Sequence, residues 1–286
     1  MSPVESAGTG GAYVRTGPVT QTRNKEMEDI VIIGSGNVAE ALALAFTNSG
    51  HTPVQIFARN RTEGTKIAAK CQCRFTDDPA QVKSAGLYVI AVSDKAIASV
   101  SGAIDFSDAV VAHTSGSTPI DALAPAIRNK AVLYPLQTFT KGRKVDFQTI
   151  PIMVEGTTPK ALETVTKAAK LLSGNVREVA SKQRAMIHVA AVFASNFTNH
   201  MFTISELLAK DAGIDFSVLK PLIRETTDKA MSADSPRSVQ TGPAIRNDFQ
   251  TKSRHCELLA EKPDLKNIYI NLSNNIWEIS KKTSQR

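Results

Sequence analysis

The chain has 286 residues, 42% of them hydrophobic and 21% charged, with a formal net charge of +7. That length allows two domains with real cores, the composition is that of a globular protein, and no apolar run is long enough for a membrane-spanning helix. The basic residues are scattered, apart from residues 141–144 and the C-terminal Lys281, Lys282 and Arg286, and no aromatic-rich basic stretch accompanies them. The charge therefore points to a solvated surface and a small anionic ligand, and away from nucleic acid or a membrane surface.

Residues 1–26 are rich in Gly, Ser, Thr and Pro and lack apolar periodicity. They read as a disordered extension without the apolar core of a secretory signal. The first element follows Met27. Ile30, Val31, Ile32 and Ile33 form an unbroken β-branched run, as a strand buried on both faces requires. Gly34, Gly36 and Ala39 then stand at the spacing G-x-G-x-x-A, and Val38, Ala41, Leu42, Ala45 and Phe46 recur at helical period. Strand, glycine turn and helix in this order make the dinucleotide fingerprint: Gly34, Ser35, Gly36, Asn37, Val38 and Ala39 are the expected pyrophosphate cradle.

Val54–Phe57 reads as the second strand, ending in Ala58-Arg59-Asn60-Arg61. An acidic residue at this strand end would select the ribose 2′-hydroxyl of NAD. Arg59, Asn60 and Arg61 stand there instead, and guanidinium groups suit a 2′-phosphate, so the cofactor expected is NADP. Alternate residues of a strand share a face, so Cys71 and Cys73 read as packed thiols, Cys73 opening a short strand over 73–75; no metal is expected. Three cysteines, with Cys256, are too few for a disulfide framework and indicate a reducing, cytoplasmic setting.

A polar helix is expected near 79–83. The strand Leu87–Val92 ends in Ser93-Asp94, so Val92, Ser93 and Asp94 are placed at the ligand crevice; Asp94 equally suits the cap of the next helix. The strand Ala109–Ala112 runs into His113-Thr114-Ser115-Gly116-Ser117, where His113 to Ser115, Thr114 among them, are assigned to the crevice and Ser117 to capping. The strand 131–133 leads into a second polar–aromatic cluster, Tyr134-Pro135-Leu136-Gln137-Thr138-Phe139. A strand over 150–154, a helix over 159–172 and a short strand over 176–179 complete the alternation. The fold class is α/β, a doubly wound parallel sheet over 28–180.

From Ser181 no strand pattern remains, and residues 181–286 read as an all-helical domain. Residues 182–211 form one long helix closed by Gly213, apolar on nearly all sides, as for a helix buried by other helices or a second subunit. His188, Ser195, Asn199 and Thr203 lie on one stripe, flanked by Asn196 and His200. Helix–helix hydrogen bonds satisfy these groups, or the stripe lines the substrate pocket. Further helices are expected over 216–231, 248–261 and 265–282. Before the second of these, Arg246 stands beside a capping Asn247 or Asp248, a natural site for an acidic substrate group.

The motifs GSGNVA (34–39), HTSGS (113–117), YPLQ (134–137), HVAAVFASNFTNH (188–200) and TGPAIRND (241–248) together resemble a group of bacterial Rossmann-fold proteins. These carry a helical C-terminal domain long without an assigned function and are similar in architecture to pyrroline-5-carboxylate reductase and the β-hydroxyacid dehydrogenases. The resemblance implies an NADP oxidoreductase, with a ketopantoate reductase branch, and a homodimer packed through its helical domains. Hydride transfer then needs a polarised carbonyl or imine and one proton. The candidates are Asn196 as donor to the reacting oxygen, His113 or His200 as proton donor, and Arg246 on a substrate carboxylate. A non-catalytic NADP-binding sensor is the second reading.

Overall fold

In the computed structural model, which describes residues 28–284, Ile30–Ile33 form a first strand, β1, with all four side chains buried. The extension read at residues 1–26 lies outside the described residues. Ile30 and Ile32 pack into one apolar cluster with Leu42 and Phe46. Val31 and Ile33 pack into another with Tyr88 and Ile97. Successive strand residues face opposite sides of the sheet, and both sides are covered, so the run carries no polar member.

Seven more strands follow: β2 (Gln55–Phe57), β3 (Arg74–Thr76), β4 (Leu87–Ile90), β5 (Val110–His113), β6 (Asn129–Pro135), β7 (Ile152–Gly156) and β8 (Val176–Glu178). They make one sheet in the order β3-β2-β1-β4-β5-β6-β7-β8. β1 pairs in parallel with β2 on one side and β4 on the other. The connections therefore leave β1 in opposite directions, and a crevice opens at the strand ends between them.

The expected parallel sheet needs one correction. β6 and β7 are antiparallel, with Leu133 opposite Val154, while β7 and β8 are parallel again. The connection from β6 to β7 holds only a single turn of 3₁₀ helix, Phe147–Thr149. Without a crossover helix to carry the chain back along the sheet, the next strand returns alongside its predecessor.

Four helices cover this sheet: α1 (Asn37–Asn48), α2 (Arg61–Cys71), α3 (Ile97–Ser101) and α4 (Pro159–Leu172). α4 matches the sequence reading at both ends. Pro159 occupies its first turn, and the Thr158 hydroxyl accepts from the Ala161 amide at 3.1 Å. The helix expected near 79–83 is only a 3₁₀ turn, Pro79–Gln81, capped by Asp78.

The chain divides into two compact units, the first ending at Ala191 and the second beginning at Val192. α5 (Ser181–Ala191) belongs to the first. The second holds a six-residue π turn (Val192–Phe197), α6 (Thr198–Asp211), α7 (Lys220–Ser232), α8 (Phe249–Leu258) and α9 (Pro263–Ser284). The single helix expected over 182–211 is thus interrupted. A π turn widens the hydrogen-bond spacing from four residues to five and rotates every later position out of the α-helical register. The Thr198 hydroxyl follows the wider spacing, donating to the Phe193 carbonyl five residues back at 3.0 Å. α6 ends as expected at Gly213, in the left-handed region at φ +73°. Among the described residues no helix is long and apolar enough to cross a membrane.

Candidate functional site

A cavity of about 980 Å³ opens at the C-terminal ends of β1, β2, β4 and β5, with a wall built wholly from the first unit. Its floor is the glycine turn. Gly34 takes φ +131° and donates to the Phe57 carbonyl at 2.8 Å. A Cβ at Gly34 would stand 2.1 Å from the Ala91 carbonyl oxygen, so strand β4 leaves no room for a side chain there. At Gly36 the opposite holds: a Cβ would meet nothing within 4 Å and would project into open space. Gly36 is also the N-cap of α1, and no side chain caps that helix. Its first amides and its positive dipole end are left for a ligand, which is the arrangement that binds phosphate.

Most of the residues named from sequence meet in this wall: Gly34, Ser35, Gly36, Asn37, Val38, Arg59, Asn60, Val92, Ser93, Asp94 and Thr114. Their chemistry differs from expectation at several points. Ala39 is fully buried beneath the turn, where, as expected of the small third residue, it lets helix and strand pack. The Asn37 amide donates to the Phe139 carbonyl at 2.8 Å, anchoring the loop after β6. Asn60 caps α2, accepting from the Glu63 amide at 3.1 Å. Asp94 caps nothing; it accepts the Ser117 hydroxyl at 2.7 Å, so the capping expected of Ser117 also fails. The two hydroxyl and carboxyl groups satisfy each other across the mouths of β4 and β5.

The two arginines separate. Arg61 donates to Asp77 at 2.7 Å and does not line the cavity. Arg59 lines it, is exposed, and has no ion-pair partner among the described residues. Glu63 is engaged by Lys66 and by Lys141 from the loop after β6, which hold its carboxyl down at about 2.

His113 is the clearest departure. It is 0% exposed at the end of β5, and its Nδ1 accepts from the Ser115 amide at 3.1 Å. Burial, with the Arg184 charge adding to it, lowers its pKa to about 4. The ring is neutral near pH 7, takes no place in the cavity wall, and holds the 113–117 loop through the Ser115 amide.

Two of the wall residues outside the expected site set touch each other. Tyr134, the last-but-one residue of β6, and His188 of α5 meet with the phenol oxygen 2.9 Å from Nδ1. Both carried a signal: Tyr134 in the cluster after β6, His188 in the polar stripe. Nothing local paired them across 54 residues. Of the rest of the stripe, Ser195 lies within the π turn and Asn199 and Thr203 beyond it. Asn199 and Thr203 line a separate cavity of about 550 Å³ with Lys220 and Arg224. Asn196 in the π turn, His200 in α6 and Arg246 before α8 belong to the second unit, and each is exposed. Asp248, not Asn247, caps α8, accepting from the Thr251 amide at 3.0 Å.

Beneath the wall, α5 is pinned by Arg184, whose side chain is 1% exposed. Its guanidinium pairs with Glu155 of β7 and donates to the Thr118 carbonyl at 2.6 Å. Glu155 also accepts from the Ser181 amide at 2.9 Å. The loop after β5, strand β7 and the start of α5 are held by this one network.

Residues 29–125 match a family model described as NADP oxidoreductase, coenzyme F420-dependent, and residues 150–276 match a domain of unknown function (DUF2520). Among solved structures, a Bacteroides fragilis protein designated an NADP oxidoreductase is 36% identical, covering 88% of this chain and 98% of that one with a TM-score of 0.81. A reductive aminase from Aspergillus terreus, solved with NADPH and ethyl-5-oxohexanoate, has the same fold at 14% identity, covering 90% and 94% of the two chains with a TM-score of 0.66. A pyrroline-5-carboxylate reductase from Coxiella burnetii also shares it at 14% identity, covering 90% and 98%, with a TM-score of 0.52. No curated protein matches the chain.

Proposed function

Because the chain belongs to a family of NADP oxidoreductases with a helical C-terminal domain, we propose that it reduces the carbonyl or imine of a small acidic substrate with NADPH. The observation that carries this reading is the cavity at the strand ends, where an uncapped helix N-terminus, an open Gly36 and an unpaired Arg59 line one wall. The amides around Gly36 would hold the pyrophosphate, and Arg59 the 2′-phosphate. When bound, the coenzyme supplies the hydride.

The remaining roles fall to side chains. Asn196 donates a hydrogen bond to the reacting oxygen, and Arg246 holds the substrate carboxylate. Of the two histidines considered for the proton, His113 is withdrawn by its burial. We take the substrate to be a 2-oxo acid and ketopantoate as the first to test. The functional form is a homodimer in a reducing, cytoplasmic setting. Three free thiols support the compartment, and Phe193, Phe197, Met231, Phe249 and Leu258, all exposed on the second unit, support a second copy there.

Calorimetry with NADPH and NADH, followed by NADPH oxidation against 2-oxo acids and cyclic imines, tests the reading. Tight NADPH binding with turnover of at least one acid is the expected result. An absence of heat with either nucleotide sinks the assignment. Turnover lost in Asn196→Ala at unchanged NADPH affinity would place that amide at the reacting oxygen.

A further inference from the structure

We propose that Tyr134 and His188 form the proton-delivering pair of this site, the phenol giving its proton to the substrate oxygen or imine nitrogen and the imidazole restoring it. The inference deepens the oxidoreductase reading above and rests on it.

The two rings meet edge to face, with centroids 5.9 Å apart and planes at 70°. Their polar atoms lie 2.9 Å apart, and both residues belong to the wall of the cavity that holds the glycine turn. The chain makes room for this contact. A Cβ at Gly116 would stand 2.6 Å from the His188 Nδ1 and 2.7 Å from the Tyr134 Cζ. The glycine of the 113–117 loop is thus the residue that lets backbone close over the pair. Each partner is also held from behind. Tyr134 stands one residue before the end of the buried strand β6 and packs with Ile120, Val132 and Met153. His188 follows Arg184 by one helical turn, and Arg184 is fixed to Glu155 and the Thr118 carbonyl. A pair locked on two sides and open on the third to a ligand cavity is preorganised for transfer rather than merely bonded for stability.

The phenol suits the task. Burial raises its pKa, while the nearby Arg184 charge opposes the rise. Tyr134 therefore stays protonated through the physiological range, and the phenolate formed in transfer has a cation near it. The tautomer matters. With the proton on Nδ1, His188 donates to the phenol oxygen, and the phenol's own proton is free to turn into the cavity.

Reduction of a carbonyl consumes one hydride and one proton, and the hydride is the coenzyme's. The Tyr134 O–H bond breaks as the product O–H bond forms. The ring takes a solvent proton at Nε2 as its Nδ1 proton passes to the phenolate, so the imidazole is never left anionic, and exchange with solvent then restores the Nδ1 tautomer. No other reactant is required, and His200 is not needed for this proton.

The test uses the full-length protein and the variants Tyr134→Phe and His188→Gln. NADPH titrations should give wild-type affinity in both. With ketopantoate, or whichever 2-oxo acid the wild type turns over, kcat should fall about 100-fold or more in Tyr134→Phe while KM moves less than about threefold. Nitrogen-15 spectra of the histidines should show His188 protonated at Nδ1 in the wild type and released from that tautomer in Tyr134→Phe. A wild type that binds no NADPH overturns the oxidoreductase reading and this one with it. A wild type that binds and reduces while Tyr134→Phe keeps its kcat overturns the pair alone. So does an Nε2-protonated His188, a loss of NADPH affinity confined to Tyr134→Phe, or a proton role that moves with His200→Ala instead.

Discussion

Arg184 and Glu155 form an ion pair beneath the cavity wall, the guanidinium side chain 1% exposed and the carboxylate 18%. They join α5 to β7 and, through the Thr118 carbonyl, to the loop after β5. Two charges this deep are costly to desolvate, and their value lies in holding three elements in one geometry. Removing one partner leaves the other charged and unpaired. Arg184→Met or Glu155→Gln should destabilise the protein by about 3–5 kcal/mol, measured by urea denaturation followed by circular dichroism. The double variant Arg184→Met with Glu155→Leu should recover most of that loss. A double variant no better than the singles would mean that the pair contributes more than it costs to bury.

Gly34 and Gly36 belong to one motif and should fail differently. Gly34→Ala puts a methyl 2.1 Å from the Ala91 carbonyl oxygen at φ +131°. It should lower stability by about 3 kcal/mol or more. Gly36→Ala meets nothing within 4 Å and should leave stability within about 0.5 kcal/mol of wild type. Its methyl instead occupies the approach of a pyrophosphate, and NADPH affinity should drop about tenfold or more. Thermal melts beside fluorescence titrations separate the two effects. Equal stability losses at the two positions would contradict this division.

Arg59 lines the cavity with no ion-pair partner among the described residues, whereas Arg61 is spent on Asp77. Arg59→Ala should weaken NADPH binding about 10- to 100-fold and leave NADH nearly unchanged, the loss expected for a charge-assisted contact to the 2′-phosphate. Arg61→Ala should change the NADPH-to-NADH ratio by less than about threefold. Calorimetry with both nucleotides decides it, and a larger effect at Arg61 would reverse the assignment.

His113 links stability to acid. Its pKa is pushed from 6.5 in the open chain to about 4 in the folded one, chiefly by burial. The folded state therefore binds fewer protons than the unfolded state between these values. The stabilising contribution is complete above about pH 6.5, falls as pH drops, and is gone below about pH 4, amounting to about 3 kcal/mol across that window. Urea midpoints measured from pH 7 to pH 4 should fall more steeply in the wild type than in His113→Gln. Parallel curves would show that His113 does not titrate as buried.

What the sequence alone determined is local. The β-branched run of β1, the φ-demanding glycine after it, the small residue at position 39 and the Thr158–Pro159 start of α4 each act within a few residues, through backbone sterics, side-chain period and capping. They were legible because their causes and effects share one stretch of chain. The tertiary structure decided what depended on distant neighbours. It turned β7 antiparallel because no helix intervened, buried His113 within reach of the Arg184 charge, divided Arg59 from Arg61 through an aspartate 16 residues away, and broke the polar stripe with a π turn. It also joined Tyr134 to His188 across 54 residues. Each of these outcomes is a choice of partner, and partners are set by packing, which a linear pattern does not encode.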